Sequence, residues 1–212
     1  LWGVRSIVSL ELTPHNMFDI FKAYIAGRTT LTEDEYARIG SVSILKTLRK
    51  HQYLLQAGDV WRYNAFVCHG CLRAYRVDNK GTEHILHFAT ENWWTGDRES
   101  LLTGNPAASN IDALENSEVI LIGKENFDQL CQQIPAFNAM IQAILEKSFI
   151  VNQNRLHAAM SFTAEQKYLN FLEKYPNLVL RIPQHMIASY LGITPETLSR
   201  IRKDTQKHSR NE

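Results

Sequence analysis

The sequence predicts an α+β chain: an N-terminal double-stranded β-helix of the jelly-roll or β-roll kind, a long helix, and a C-terminal winged helix-turn-helix. Three observations predict it. Between about Gln52 and Ile122, short apolar and aromatic runs alternate with turn residues, the texture of a small barrel or roll. From Ala136 to Phe162 the chain runs for about twenty-five residues without Pro or Gly. Near the carboxyl end, "QHMIASYLGITPETLSRIRK" (residues 184–203) divides into two amphipathic halves around Gly192.

Residues 1–16 are expected to be an extension or an expression remnant, because Met17 opens the first helical pattern. They lack the long apolar core of a signal peptide, and Glu11 interrupts what there is. From Met17 to about Leu48 the pattern is helical: "MFDIFKAYI", then "LTEDEYARIGSVSIL", with Thr32 as a cap before acidic first-turn residues. In the roll that follows, "LRAYRVDNKGTEHILHF" predicts a hairpin joined through Asp78, Asn79, Lys80 and Gly81. "KENFDQLCQQI" is a short helix that stops before Pro135.

In the long helix, Ile141, Ile144, Leu145, Ser148, Phe149 and Val151 fall close to a coiled-coil stripe. It is the expected dimer seam; a core helix of its own domain is the alternative. "TAEQKYLNFLEKY" is a helix ended before Pro176, and "LVLRIP" is expected to be a strand, which would make the terminal module winged. The expected division is residues 17–134 for the roll with its flanking helices, 135–160 for the long helix and 161–212 for the terminal module.

Composition narrows the function. The 212 residues carry 23 basic and 22 acidic side chains, a net charge of +1, so no overall field argues for a polyanion. The tail differs: Arg181, Arg200, Arg202, Lys203, Lys207 and Arg210 outnumber Glu196, Asp204 and Glu212. Cys68, Cys71 and Cys131 form no disulfide framework, and no apolar run approaches a membrane span. The expectation is a cytoplasmic protein without a membrane partner.

The terminal pair of helices carries the sharpest chemistry. Ile187 and Leu191, then Leu198 and Ile201, give each half one inward face, and Ala188 is small where helices cross. Gly192 ends the first helix, Thr194 caps the second, and Pro195 takes its first position. That leaves Thr194, Glu196, Thr197, Ser199, Arg200 and Lys203 as candidate DNA-binding residues. Arg bridges guanine O6 and N7, Glu accepts from the cytosine amino group, and Ser or Thr serves either way.

The whole order resembles the Crp/Fnr family of bacterial transcription regulators, from about Met17 to Lys203. The resemblance rests on "LLQAGD" (residues 54–59), "FVCHGCLRAY" (66–75), "KGTEHILHF" (80–88), "ALENSEVILI" (113–122) and "GITPETLSRI" (192–201). It implies a homodimer on a two-fold symmetric double-stranded DNA site, RNA polymerase as a further partner, and a signal sensed in the roll. The family's E-x-x-S-R reading pattern is matched by Glu196, Ser199 and Arg200, while Pro195 stands where some members carry another base-contacting Arg. In the sensor, Gly96 and Asp97 match the family's ribose-holding Gly-Glu, and Ala107 and Ala108, followed by Ser109, replace its phosphate-holding Arg-Ser. Without that Arg, a phosphate has no charged partner, which argues against cyclic AMP. The effector itself is unnamed by the sequence.

Two other constellations carry rival chemistries. Cys68-His69-Gly70-Cys71 is a C-x-x-C that could serve a redox- or metal-sensing regulator, but it lacks two further ligands and is expected to be structural. Glu83, His84 and His87 could belong to a metal-dependent cupin-type enzyme, yet strand alternation puts the two histidines on opposite faces unless a bulge intervenes. The expectation is no enzyme, no catalytic residue, no metal and no cofactor. Trp61, Trp93 and Trp94 are candidates for an apolar sensor pocket.

Overall fold

The computed structural model describes residues 14–208, with side chains from 17 to 205. Expectations for residues 1–13 and for Arg210 and Glu212 lie outside the described residues. Helix α1 (Pro14–Ala26) and helix α2 (Glu33–Ser41) precede the roll. Thr32 caps α2 as expected, with Glu35 returning the bond in a capping box. The helix stops sooner than its sequence suggests. Residues 43–48 form strand β1 (Ser43–Leu48), since pairing with a buried partner strand overrides a weak helical pattern.

The roll is two four-stranded antiparallel sheets. One has the order β1, β8 (Ser117–Gly123), β3 (Tyr63–His69), β6 (Trp94–Thr95). The other has β2 (Tyr53–Leu55), β7 (Asn110–Ala113), β4 (Leu72–Val77), β5 (Glu83–Ala89). Between them lies an apolar filling that includes Leu48, Val67, Leu72, Ile111 and Val119. The β4–β5 hairpin forms as expected, its turn tied by the Asp78 carboxylate, which accepts from the Lys80 and Thr82 amides. A short helix α3 (Arg98–Thr103) interrupts the roll between β6 and β7.

Helix α4 (Lys124–Gln133) leads into α5 (Pro135–Ser161), a 27-residue helix. The expected seam proves to be split. Phe137, Met140 and Ile141 are buried against the roll together with Phe21, Phe66 and Ile120, and Ile144 and Leu145 pack at the margin of that cluster. Beyond them α5 outruns the roll, leaving Phe149, Ile150, Leu156 and Met160 more than half exposed. Phe149 and Leu156 are seven apart and Met160 four further on, so they share one face.

The terminal module comprises α6 (Ala164–Lys174), α7 (Leu178–Arg181), α8 (Gln184–Leu191) and α9 (Pro195–His208). The strand expected at "LVLRIP" is the helical turn α7. Leu178 and Ile182 are buried four residues apart while Leu180 is 92% exposed, a period of four and not of two. No strand follows β8 among the described residues, so the expected wing is absent from them. A third core cluster joins Tyr168, Phe171, Ile187 and Leu198 of this module to Tyr75, Ile85 and Phe88 of the roll.

Candidate nucleic-acid interface and sensor cavity

The turn between α8 and α9 is built from its glycine outward. Gly192 has φ +67°, and the Gly192 and Ile193 amides donate to the Ser189 and Ala188 carbonyls, closing a Schellman motif. Thr194 then accepts from the Thr197 amide at 3.2 Å and starts α9. Its hydroxyl also donates to that of Thr197, so both threonines are engaged in the cap. Leu198 and Ile201 bury the inner face. Glu196, Ser199, Arg200 and Lys203 stand exposed on the outer one, around a single shallow concavity.

Charge on that face is left available. The Glu196 carboxyl is held below its ordinary value by its own backbone N–H and then by the Thr194 hydroxyl. Among the described residues no ion pair occupies Arg200 or Lys203. A guanidinium and an ammonium left in water at the start and middle of one helix face can meet phosphates or base edges without first breaking a bond within the chain.

The module that carries α9 is fastened to the roll through β5, which is an edge strand. The Ser189 hydroxyl of α8 donates to the Glu83 carbonyl at 2.9 Å and accepts from the Ile85 amide at 3.1 Å, taking up bonds that the open edge would leave to solvent. The Arg181 guanidinium of α7 forks onto both Glu91 oxygens at 2.9 Å and also reaches Glu115. Burial alone would raise the Glu91 carboxyl; the bonds from Arg181 and from the Gly70 amide more than offset this and hold it below its ordinary value.

Between the roll and α5 lies a cavity of about 420 Å³, walled by Trp61, Trp94, Phe127, Leu101 and Leu145 among others. Polar and charged side chains line it too, Arg98, Lys124 and Asp128 among them. His87 of β5 bonds Thr95 at 3.1 Å, and burial first, then the Arg155 charge, push its pKa down to about 4, so the ring is neutral at pH 7. Asp97 caps α3 through one oxygen, accepting from the Ser100 amide at 3.0 Å. Its other oxygen and the Trp61 Nε1 are buried with no partner among the described residues. Gly96, at φ +151°, lets the backbone pass this indole: a Cβ there would sit 2.5 Å from Nε1.

The matching family model is that of the cyclic nucleotide-binding domain, over residues 45–134. The fumarate and nitrate reduction regulatory protein of Vibrio cholerae is 28% identical over 193 residues, which cover 84% of this chain and 75% of that one. The regulatory protein HlyX of Actinobacillus pleuropneumoniae is 26% identical over 84% of this chain and 78% of its own. The solved structure of FixK2 from Bradyrhizobium japonicum superposes with a TM-score of 0.69 at 18% identity, over 79% of this chain and 86% of that one. Along most of its length the chain is similar to regulators of the Crp/Fnr family.

Within the chain the expected effector residues separate. Gly96 and Asp97 line the cavity, whereas Ala107, Ala108 and Ser109 do not. Ala107 is buried by a backbone ladder to Gly58 and Asp59, and Ala108 faces solvent. A cation that motif counting misses does approach the second position: Arg76 of β4 lies 3.4 Å from the Ser109 hydroxyl, with Glu99 at 3.7 Å. Only the fold brings it there. Trp61 and Trp94 line the cavity, but Trp93 turns away and packs edge-on against Tyr175, the residue that follows α6, at 5.7 Å.

The rival constellations do not assemble. Cys68 and Cys71 are buried in separate apolar clusters, and burial pushes each thiol up to about 12. The strand β5 does carry a bulge at Leu86, yet His84 bonds Asp78, His87 bonds Thr95 and Glu83 pairs with Arg73. Among the described residues no group of three or more His, Cys, Asp or Glu side chains is placed to hold a metal ion. No single described helix is long and apolar enough to cross a membrane.

Proposed function

We propose that the chain is a sequence-specific DNA-binding transcription regulator that acts as a homodimer on a palindromic site, under control of a small molecule other than cyclic AMP. One observation carries it: α9 buries Leu198 and Ile201 and presents Glu196, Ser199, Arg200 and Lys203 on a single outer face, with no ion pair on the two cations among the described residues. In this reading Arg200 takes a guanine, Glu196 a cytosine amino group, Ser199 an adjacent base and Lys203 a phosphate. Thr194 and Thr197 hold the start of the helix and offer the backbone what hydroxyl capacity the cap leaves. The uncovered part of α5 pairs with its copy in a second subunit. RNA polymerase is the further partner, and the cytoplasm is the place of action.

The division into residues 17–134, 135–160 and 161–212 assigns sensing, pairing and reading to successive parts. The effector binds between the roll and α5, where the walls carry unpartnered indole donors, Trp61 Nε1 and Trp94 Nε1, and an unpartnered acceptor on Asp97. A ligand able to answer both kinds is expected, with no phosphate beside Asp97. Because β5 carries His87 at the cavity and Ser189's partners at the edge, an occupant would bias the position of α8 and thus of α9.

Selection of bound sequences from a random duplex pool tests the reading. The expected result is a palindrome whose half-sites are centred about one helical turn, roughly 34 Å, apart. Recovery of no common sequence, or of an unrepeated single site bound by a monomer, would refute it.

A further inference from the structure

A second cleft lies on the other side of α5. It measures about 310 Å³ and is walled by the carboxyl-terminal half of α5, by α6 and by the end of α8. On α5 its residues include Asn152, Arg155, Leu156 and Ala159; on α6 they are Lys167, Asn170, Phe171 and Lys174. Each set follows the i, i+3, i+4, i+7 spacing of one helix face, so two faces confront each other across the space. It shares only Asn152 with the cavity beneath the roll.

The charge of this cleft is one-sided. Arg155, Lys167 and Lys174 line it and no carboxylate does. Among the described residues none of the three has an ion pair, although Lys22, Arg73, Arg76, Lys124 and Arg181 of the same chain all find carboxylates. Lys174 is accounted for by the last turn of α6, where the helix dipole favours a cation. Lys167 is not, since it stands in the first turns, where that dipole disfavours it. The floor is aromatic: Phe171 packs on Tyr175 and on Tyr190, each at 5.5 Å between centroids. Arg155 lies over the Tyr190 ring at 4.5 Å, which fixes its guanidinium at the mouth. A cleft of one sign with low-dielectric walls concentrates counter-ions.

We propose that this cleft binds a small organic anion carrying a flat ring, with its carboxylate or phosphate held by Arg155, Lys167 and Lys174 and its ring on the Tyr175–Tyr190 floor. The volume stands at the lower end of the roughly 300–1,000 Å³ common to small-molecule sites. An occupant would tie α5 to α8, because Tyr190 belongs to the first helix of the reading pair and also touches Phe88 of β5 at 5.5 Å. The inference does not need the DNA reading to hold, since binding is measured on the free protein.

Titration calorimetry of the full chain with 1-naphthoate, with adenosine 5′-phosphate and with inorganic phosphate tests it. At least one of the two ring-bearing anions should bind more tightly than inorganic phosphate, and the stronger of them names the anion. The Lys167→Gln/Lys174→Gln variant should weaken that probe about tenfold or more, as loss of charge-assisted bonds does, with the thermal midpoint unchanged. Arg155→Lys, which keeps the charge but not the flat stacking, should weaken it less. Lys124→Gln, at the other cavity, should leave it unaltered. The proposal is overturned if neither ring-bearing probe binds. It is equally overturned if affinity is lost in Lys124→Gln and kept in the double variant. Loss of DNA binding in the double variant, with neither probe bound, would assign these lysines to the phosphate backbone and likewise overturn it.

Discussion

The outer face of α9 and the cavity beneath α5 are built on opposite plans. The α9 face comes from one contiguous stretch, lies in water, and among the described residues leaves Arg200 and Lys203 without an ion pair. The cavity gathers residues from β3, β5, β6, α3, α4 and α5, which are distant in the chain, and holds His87 neutral. A surface of the first kind suits a rigid polyanion whose sequence is read by a few donors, and its strength varies with salt. One of the second kind selects by shape and by unpartnered polar atoms, here Trp61 Nε1, Trp94 Nε1 and one Asp97 oxygen, and it responds when the elements around it shift. Between the two runs β5, with one residue in the cavity and two backbone groups bonded to Ser189.

The largest effect should come from removing the scaffold on which both depend. Phe149→Asp with Leu156→Asp places charges on the uncovered face of α5. Sedimentation should show a monomer, and affinity for a two-half-site duplex should fall about a hundredfold or more as the bivalent gain is lost. A variant that remains dimeric would move the seam elsewhere and leave the comparison without its shared axis.

The next effect tests the fastening of the reading module. Arg181→Ala leaves Glu91 and Glu115 without their cation and should destabilise the contact by about 1–3 kcal/mol, read as increased protease cleavage between α5 and α6. The same contact should depend on acid. Because the Glu91 carboxyl is depressed in the folded chain, the stability it contributes is fully present above its ordinary value of 4.5 and is lost as pH falls through the lower folded value. Wild-type protein should therefore loosen on acidification and Arg181→Ala should do so less, which tryptophan fluorescence from Trp93 against Tyr175 can follow. Equal acid responses would remove Glu91 from the fastening.

The smallest effect is expected at Lys203. Replacing it with Ala should lower the slope of log affinity against log salt by about 1.8, about 0.9 for each of the two subunits, and leave base preference as it was. An unchanged slope would take Lys203 off the DNA backbone.

How far these two regions could be foreseen follows from how they are made. The α8–α9 pair was legible because Ile187, Ala188, Gly192, Thr194, Pro195, Leu198 and Ile201 each obey a local rule, and all the rules agree. The β4–β5 hairpin and the Thr32 cap were legible for the same reason. The strand β1 was mistaken for helix because its partner lies about seventy residues away in β8 and local periodicity is blind to it. The α7 turn was mistaken for a strand because a run of four aliphatic or cationic residues carries too few positions to separate a period of two from one of four. Of the cavity, Gly96, Asp97, Trp61 and Trp94 were foreseen, while His87's place in it and Arg76's approach to Ser109 depend on strand pairing that no motif encodes.

The most direct test of the central claim is a titration of wild-type protein and Arg200→Ala against the selected palindrome and its full set of single-base substitutions. If α9 reads base edges, the variant loses about 1–3 kcal/mol per half-site on the parent duplex and ceases to discriminate at one guanine, symmetrically in both half-sites, with every other position unchanged. A loss of the same size on every duplex would contradict the account and leave Arg200 as a phosphate contact.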